Sequence, residues 1–191
     1  MKQLIIIGAG GMGRTLYSNI LESRGYGETF VVKGFIDDDL HALDGFNYYP
    51  TIVGTISGYQ PETDDVFVCS IGGASRRPCM ESIISRSGEF INIIHRTARL
   101  LTNVVIGNYN MIQSYTIIGH DVRMGDFNRI DTRVTCVGGV VIENEVNIHT
   151  SAVISHHVTV ENKAHVAALS FVIKDVKAGT TVIGNPAKKL M

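Results

Sequence analysis

The chain has 191 residues, with no tryptophan, 4 prolines and 3 cysteines. Cys69, Cys79 and Cys136 stand singly, at spacings that make neither a disulfide framework nor a zinc motif. They read as reduced core residues, as in a cytoplasmic protein. An excess of either charge is also missing: 17 basic residues meet 18 acidic ones, the formal net charge is −1, and there is no basic run. Nucleic acid and anionic membrane are therefore poor partners. Long apolar stretches are absent too. The longest near the start, Leu4 to Ile7, is too short for a signal peptide or a membrane span. The expectation is a cytoplasmic protein of one or two domains that does not insert into membranes.

What the chain has is a repeat. Every sixth residue from Ile94 to Val172 is apolar: fourteen in succession, among them Ile106, Ile118, Ile130, Cys136, Ile154 and Val166. At 45% apolar composition the chance of this in a given frame is about one in a hundred thousand. A second column, two positions earlier, runs from Asn92 to Ser170 in mostly small or β-branched residues. Six is not a helical period, but it is even and so fits strands. No single strand runs for eighty residues, so the chain must turn at each repeat and stack on itself as a hexapeptide β-solenoid. Three hexapeptides make one triangular coil, and successive coils lie roughly 4.8 Å apart. Gly107, Gly119 and Gly125 directly follow column members, where a corner would need a permissive backbone.

The frame fails upstream of about residue 92. There the text alternates strands with helices, which argues for a small parallel α/β sheet. Leu4 to Ile7 reads as a buried strand, Val31 to Ile36 as a second and Val66 to Ile71 as a third. Met12, Leu16 and Ile20 recur at helical spacing, and a short helix carries Met80, Ile83 and Ile84. Phe90 to Ile94 reads as the last strand, leading into the solenoid. The expected domains are residues 1–92 and 93–191. Between the first strand and helix stands Gly8-Ala9-Gly10-Gly11-Met12-Gly13, a strand-GxGxxG-helix context in which backbone N–H groups approach a diphosphate. Gly8, Gly10, Gly11 and Gly13, with Asp37 at the end of the second strand and Gly72 after the third, are the candidate substrate-binding residues. A structural tight turn is the plain alternative for the glycines. Asp37 sits where a dinucleotide enzyme holds a ribose hydroxyl. Ninety residues supply about one mononucleotide half, so a nucleoside diphosphate is the better ligand. Asp38 and Asp39 read as a solvated turn.

An α/β nucleotide domain followed by a hexapeptide solenoid resembles the sugar acyltransferases related to bacterial sialic acid O-acetyltransferase. The resemblance is nearest to the nucleotide-4-amino-sugar N-acetyltransferases. The segments that carry it are GAGGMGR at 8–14, FIDDD at 35–39, VFVCSIG at 66–72, IIHRTA at 93–98, IIGHDVRMGDF at 117–127 and GNPAKKL at 184–190. It implies a Rossmann-like domain that binds a nucleotide-sugar and a left-handed parallel β-helix. It further implies a homotrimer, acetyl-CoA in the groove between neighbouring prisms, and no metal. The family's catalytic histidine falls on His120, with Asp121 as its acidic neighbour. A second histidine, frequent nine residues later, is replaced by Arg129. A guanidinium keeps its proton, so Arg129 is a candidate for contacting the cofactor and not for acting as a base.

His120 lies two residues beyond Ile118, a register that places it outside the core. Imidazole titrates near neutrality and is the usual general base. Asp121 would fix its tautomer, provided the corner breaks the rule that adjacent strand residues face opposite ways. Counting by eighteen stacks Gly138 over His120, leaving room for a ligand, and puts His156 roughly 10 Å from His120. Gly138 and His156 are thus the remaining candidate cofactor contacts. Among acceptors, an amine is favoured over a hydroxyl, because a free sugar would not need a diphosphate cradle. Two other readings use the same residues. A carbonic-anhydrase-like zinc site would need His120, His156 and a third ligand, for which only Glu161 is placed. A nucleotide-sensing trimer without catalysis would dispense with His120.

Overall fold

The computed structural model describes residues 1–190. The chain divides into two units, the first being Met1–Ile91 and the second beginning at Asn92. In the first unit, β1 (Lys2–Ile7), β2 (Phe30–Ile36), β3 (Ile52–Gly54), β4 (Asp65–Cys69) and β5 (Glu89–Phe90) alternate with α1 (Gly11–Leu21) and α2 (Arg76–Ile84). The strands form one parallel sheet in the order β3-β2-β1-β4-β5. Leu4, Ile5, Ile6, Ile7, Val66 and Phe67 are wholly buried, as central parallel strands require. Chain order reverses between β1 and β4. In an open α/β sheet that reversal makes a crevice beyond the carboxyl ends of the two strands, where ligands bind.

Three expectations are corrected here. The buried stripe of α1 is Gly13, Leu16 and Ile20, while Met12 is exposed. Gly13 takes the inner place because a Cβ there would overlap the Gly8 carbonyl. In α2, Met80 and Ile83 are buried and Ile84 is exposed. Phe90 to Ile94 is not one strand. Phe90 pairs with Phe67 in the first unit, whereas Ile93–Ile94 pairs with Met111–Ile112 in the second. The break falls at Asn92, whose side chain accepts from Asn110 N (2.7 Å) and donates to Gly107 O (2.8 Å). That amide closes the first solenoid corner.

A partly buried polar knot ties β2 to β4. Lys33 Nζ donates to Asp65 Oδ1 (3.0 Å), Glu62 Oε2 (2.7 Å) and the Tyr59 hydroxyl (2.9 Å). Tyr59 OH and Glu62 N both donate to Asp65 Oδ2. Burial alone would raise the Asp65 carboxyl. The N–H of Glu62, the Tyr59 hydroxyl and the Lys33 ammonium outweigh it and hold the group below its usual value.

The second unit is a three-sided parallel β-helix. Fourteen two-residue strands run from Ile93–Ile94 to Phe171–Val172. Register follows the eighteen-residue coil, as in Leu100↔Ile118↔Cys136↔Ile154↔Val172. Both six-residue columns point inward and form one continuous core. Burial pushes the Cys136 thiol up to about 12 and that of Cys69 up to about 11, so both are inert packing residues. The last turns close with Thr181–Ile183 paired antiparallel to Lys188–Lys189.

The corners differ from expectation. The left-handed backbone falls three residues after each column member from Leu100 to Val166, from Asn103 (φ 60°) through Asp121 (φ 61°) and His157 (φ 56°) to Leu169 (φ 60°). Every such residue but Gly139 carries a side chain. Gly107, Gly119 and Gly125 have ordinary φ and serve close approach between coils. A Cβ on Gly119 would lie 2.7 Å from both Cys136 O and Val137 C.

Candidate active site

The corner after Ile117–Ile118 carries Gly119, His120 and Asp121. Because Asp121 is left-handed, the two adjacent side chains swing to the same side, which meets the condition set by strand alternation. His120 Nδ1 lies 2.7 Å from Asp121 Oδ2. A carboxylate only accepts, so Nδ1 carries the proton and, in the neutral ring, Nε2 holds the free lone pair. The other oxygen, Oδ1, accepts from Asn103 Nδ2 at 2.6 Å, and Asp121 N donates to Thr102 O at 3.0 Å. The His120 contact first, and then Asn103, hold the Asp121 carboxyl below its usual value. The His120 and Asp121 side chains are 65% and 55% exposed, so the dyad stands outside the core.

Gly138 stacks over His120 as counted, with a different consequence. The space a side chain would take at 138 is filled by the imidazole itself, since a Cβ there would overlap His120 Nε2 and Cε1. Gly139 N donates to His120 O at 2.8 Å. On the far side, a Cβ on Gly139 would overlap the His157 ring. It is thus His157, not His156, that packs on the diglycine. His156 turns to Ser155 Oγ (3.3 Å) and sets its ring edge-on to His157. Asn103, the stacked partner of Asp121, lies outside the column through His120, and its signal in the sequence is the eighteen-residue step back from Asp121.

Arg129 lies on another face, in the strand Arg129–Ile130. Its Nε donates to Asp131 Oδ1 at 2.8 Å. Asp131 also accepts from Gln113 Nε2 (3.0 Å) and faces His149 Nδ1 (3.1 Å). Burial would raise the Asp131 carboxyl, and His149 and Arg129 more than offset it, so it is lowered. His165 stacks on His149 with ring centres 6.4 Å apart. Burial, then His149, lowers the tendency of His165 to protonate.

In the first unit, β1 ends at a Gly8 with φ +94°. Ser70 Oγ, which follows β4, braces it by donating to Ile7 O (2.8 Å) and Gly8 O (3.0 Å). Gly10, in extended backbone, caps α1. A Cβ on Gly10, Gly11 or Gly72 would meet nothing within 4 Å, so these three glycines line open space at the strand-order reversal. Asp37 is already engaged: its Oδ2 accepts from Ala9 N (2.7 Å) and its Oδ1 from Asp39 N (3.0 Å). It therefore holds the glycine turn itself. Asp38, expected to be merely solvated, accepts from Ile56 N (3.0 Å), while Asp39 caps His41 N (3.0 Å). Arg14 donates to Ala9 O (3.2 Å) and lies 3.9 Å over the Phe46 ring, a cation at the mouth of the turn.

Residues 3–82 match the PglD N-terminal domain family. That match takes in most of the first unit. Three solved structures follow the chain along its length. WeeI from Acinetobacter baumannii is 24% identical with a TM-score of 0.75, covering 100% of both chains. The acetyltransferase domain of PglB from Neisseria gonorrhoeae, in complex with acetyl coenzyme A, is 21% identical with a TM-score of 0.70, covering 99% of each. PerB from Caulobacter crescentus, in complex with CoA and GDP-perosamine, is 19% identical with a TM-score of 0.68, covering 100% of this chain and 98% of the other. The likeness is one of fold: a parallel α/β unit followed by a left-handed parallel β-helix. Among curated relatives, an acyl-(acyl-carrier-protein)–UDP-N-acetylglucosamine O-acyltransferase of Pseudomonas savastanoi pv. phaseolicola is 32% identical over 102 residues. The match takes in 50% of this chain and spans 37% of the relative's length. No helix among the described residues is long and apolar enough to cross a membrane.

Proposed function

We propose that the chain is an acetyl-CoA-dependent N-acetyltransferase acting on the amino group of a nucleotide-linked amino sugar. The observation that carries this reading is the His120–Asp121 dyad, set on an exposed solenoid corner under Gly138, in a chain whose residues 3–82 match the PglD N-terminal domain family. Nucleotide-sugar and CoA accompany PerB, and acetyl coenzyme A accompanies the PglB domain. The glycine turn with Gly10, Gly11 and Gly72 facing open space fits a diphosphate, and Arg14 supplies a cation beside it. Asp37 is assigned to bracing that turn.

Acetyl-CoA supplies an activated thioester. A protonated sugar amine is not a nucleophile, so it must lose a proton to attack. Asp121 accepts from Nδ1–H and leaves Nε2 of His120 to take that proton. The imidazolium so formed keeps an ionised carboxylate beside it. When the tetrahedral intermediate collapses, the C–S bond breaks and the imidazolium returns its proton to the departing CoA thiolate. Negative charge that develops on the thioester oxygen needs a donor, and the backbone of the coil bearing Gly138 is the nearest candidate. The assembly is a homotrimer in this reading, with Arg129 and His156 lining the cofactor groove. The same dyad would serve a sugar hydroxyl. The zinc reading gains nothing: Glu161 is held by Lys177 Nζ (2.6 Å) and Ala178 N (3.0 Å).

The test is a panel of nucleotide-linked amino sugars and their hydroxyl counterparts with acetyl-CoA, following release of free thiol. Acetylation of an amino sugar, lost in His120→Ala, is the expected result. Wild-type turnover by His120→Ala ends the assignment.

A further inference from the structure

We infer that Asn103 is a positioning residue of this site, holding Asp121 so that Asp121 can hold His120. The inference rests on the reading of His120 and Asp121 given above. Asn103 and Asp121 lie eighteen residues apart at the same corner of successive coils, with the same left-handed backbone (φ 60° and 61°). Asp121 has two oxygens, and each has a separate duty: Oδ2 faces His120 Nδ1 at 2.7 Å and Oδ1 accepts from Asn103 Nδ2 at 2.6 Å. The Asp121 side chain is more than half exposed, so no packing fixes its rotamer. The coil above offers nothing, because the stacked position there is Gly139. Among the described residues, Asn103 below and His120 itself are the side chains that bond the carboxylate.

The residue type fits that task. A neutral amide donor orients the carboxylate and leaves its full negative charge to stabilise an imidazolium. A lysine would neutralise it, and an aspartate would repel it. Nor is this contact one of the coil-capping bonds found elsewhere on the prism. At another corner Asp126 Oδ1 takes Asn108 N (2.7 Å), Asn144 Oδ1 takes Asp126 N (2.8 Å) and Asn162 Oδ1 takes Asn144 N (3.0 Å). Those oxygens satisfy backbone between coils. The Asn144 amide there also donates to a side chain, Nδ2 to Asn162 Oδ1 (3.0 Å), but it reaches another amide and no titratable ring. Asn103 donates to a side chain, and that side chain serves the ring of His120.

The experiment is a double-mutant cycle on the full chain with Asn103→Ala, Asp121→Ala and the pair, read as kcat and KM by thiol release, with melting temperature as control. Asn103→Ala should lower kcat about fivefold, as for one partly screened hydrogen bond to a charged group. KM values and the melting temperature should stay near wild type, and in the Asp121→Ala background Asn103→Ala should have no further effect. A second readout needs no substrate. Nitrogen-15 spectra of the imidazole should show His120 as the Nδ1–H tautomer in the wild type and as a mixture in Asn103→Ala. Full kcat in Asn103→Ala, an equal loss in the Asp121→Ala background, or an unchanged tautomer overturns the role of Asn103. Wild-type turnover by His120→Ala fails the underlying reading instead.

Discussion

Gly138→Ala separates catalysis from folding more cleanly than removal of the base. Gly138 has an ordinary backbone, so alanine costs no conformational strain there. The added methyl would overlap His120 Nε2 and Cε1 and come within 2.9 Å of Cδ2. Ordinary contact begins near 3.4 Å, so the ring must retreat by about an ångström. It has somewhere to go, because the side chain is 65% exposed. The solenoid should therefore keep its stability to within about 1 kcal/mol, as for a surface substitution. Catalysis should not survive as well. A displacement of about 1 Å in a positioned group costs about a hundredfold, and the ring can move only by leaving Asp121 Oδ2. The expected outcome is a kcat lowered about a hundredfold with an unchanged circular dichroism melt. A variant that turns over at the wild-type rate would refute the claim that His120 works from the place it occupies beneath Gly138.

Gly119→Ala makes the opposite demand. Its methyl would press on the backbone at Cys136, Val137 and Gly138, which cannot rotate away, so a loss of about 2 kcal/mol in urea titration is expected. Asp65→Asn leaves Lys33 with a weaker partner inside the knot between β2 and β4. With the Asp65 side chain fully buried, the expected cost is about 3 kcal/mol by chemical denaturation. Asp131 carries a pH signature. Its native carboxyl is held below the ordinary aspartate value by His149 and Arg129, so its stabilisation is complete above the unfolded value and is lost as pH falls through the native one. Asp131→Asn should melt lower at neutral pH, by about 2 kcal/mol, and should lack that component of acid unfolding in a melting series below pH 5.

The inward columns were legible because burial demands apolarity at fixed spacing, and a six-residue period admits few folds. The β1 and β4 strands were legible for the same reason, being apolar on both faces. The corners were not. A left-handed residue usually announces itself as glycine or asparagine, yet here Tyr109, Tyr115, Phe127 and Arg133 all adopt it. Parallel coils impose the conformation whatever the side chain, at a local cost offset by the ladder. The visible glycines misled for the matching reason: Gly119 is required by the backbone of the next coil, not by its own φ. The strand expected at Phe90 to Ile94 failed because apolar residues continue across the break, and only the bonds of Asn92 reveal that one sheet's strand ends and another's begins along the chain there. Asp37 was read from its place after β2, and its partner Ala9 N could not be known before folding.

The corner also explains why a base and its acid can be consecutive residues. On a regular strand His120 and Asp121 would point to opposite faces. The left-handed step at each corner removes that opposition once per hexapeptide. A residue two places past the inward column and the one after it can then meet, and no other adjacent pair in the repeat gains this freedom. Along this edge of the prism the pairs are Thr102-Asn103, His120-Asp121, Gly138-Gly139, His156-His157 and Lys174-Asp175. Only the second puts a carboxylate behind an imidazole. The first supplies an amide that reaches up to it, and the third supplies the empty volume into which the ring fits. His156-His157 has the right backbone and the wrong chemistry, since its two rings stack edge to face with no acid between them. The dyad therefore depends on three successive coils in register, and a one-coil slip would leave His120 with neither its brace nor its space.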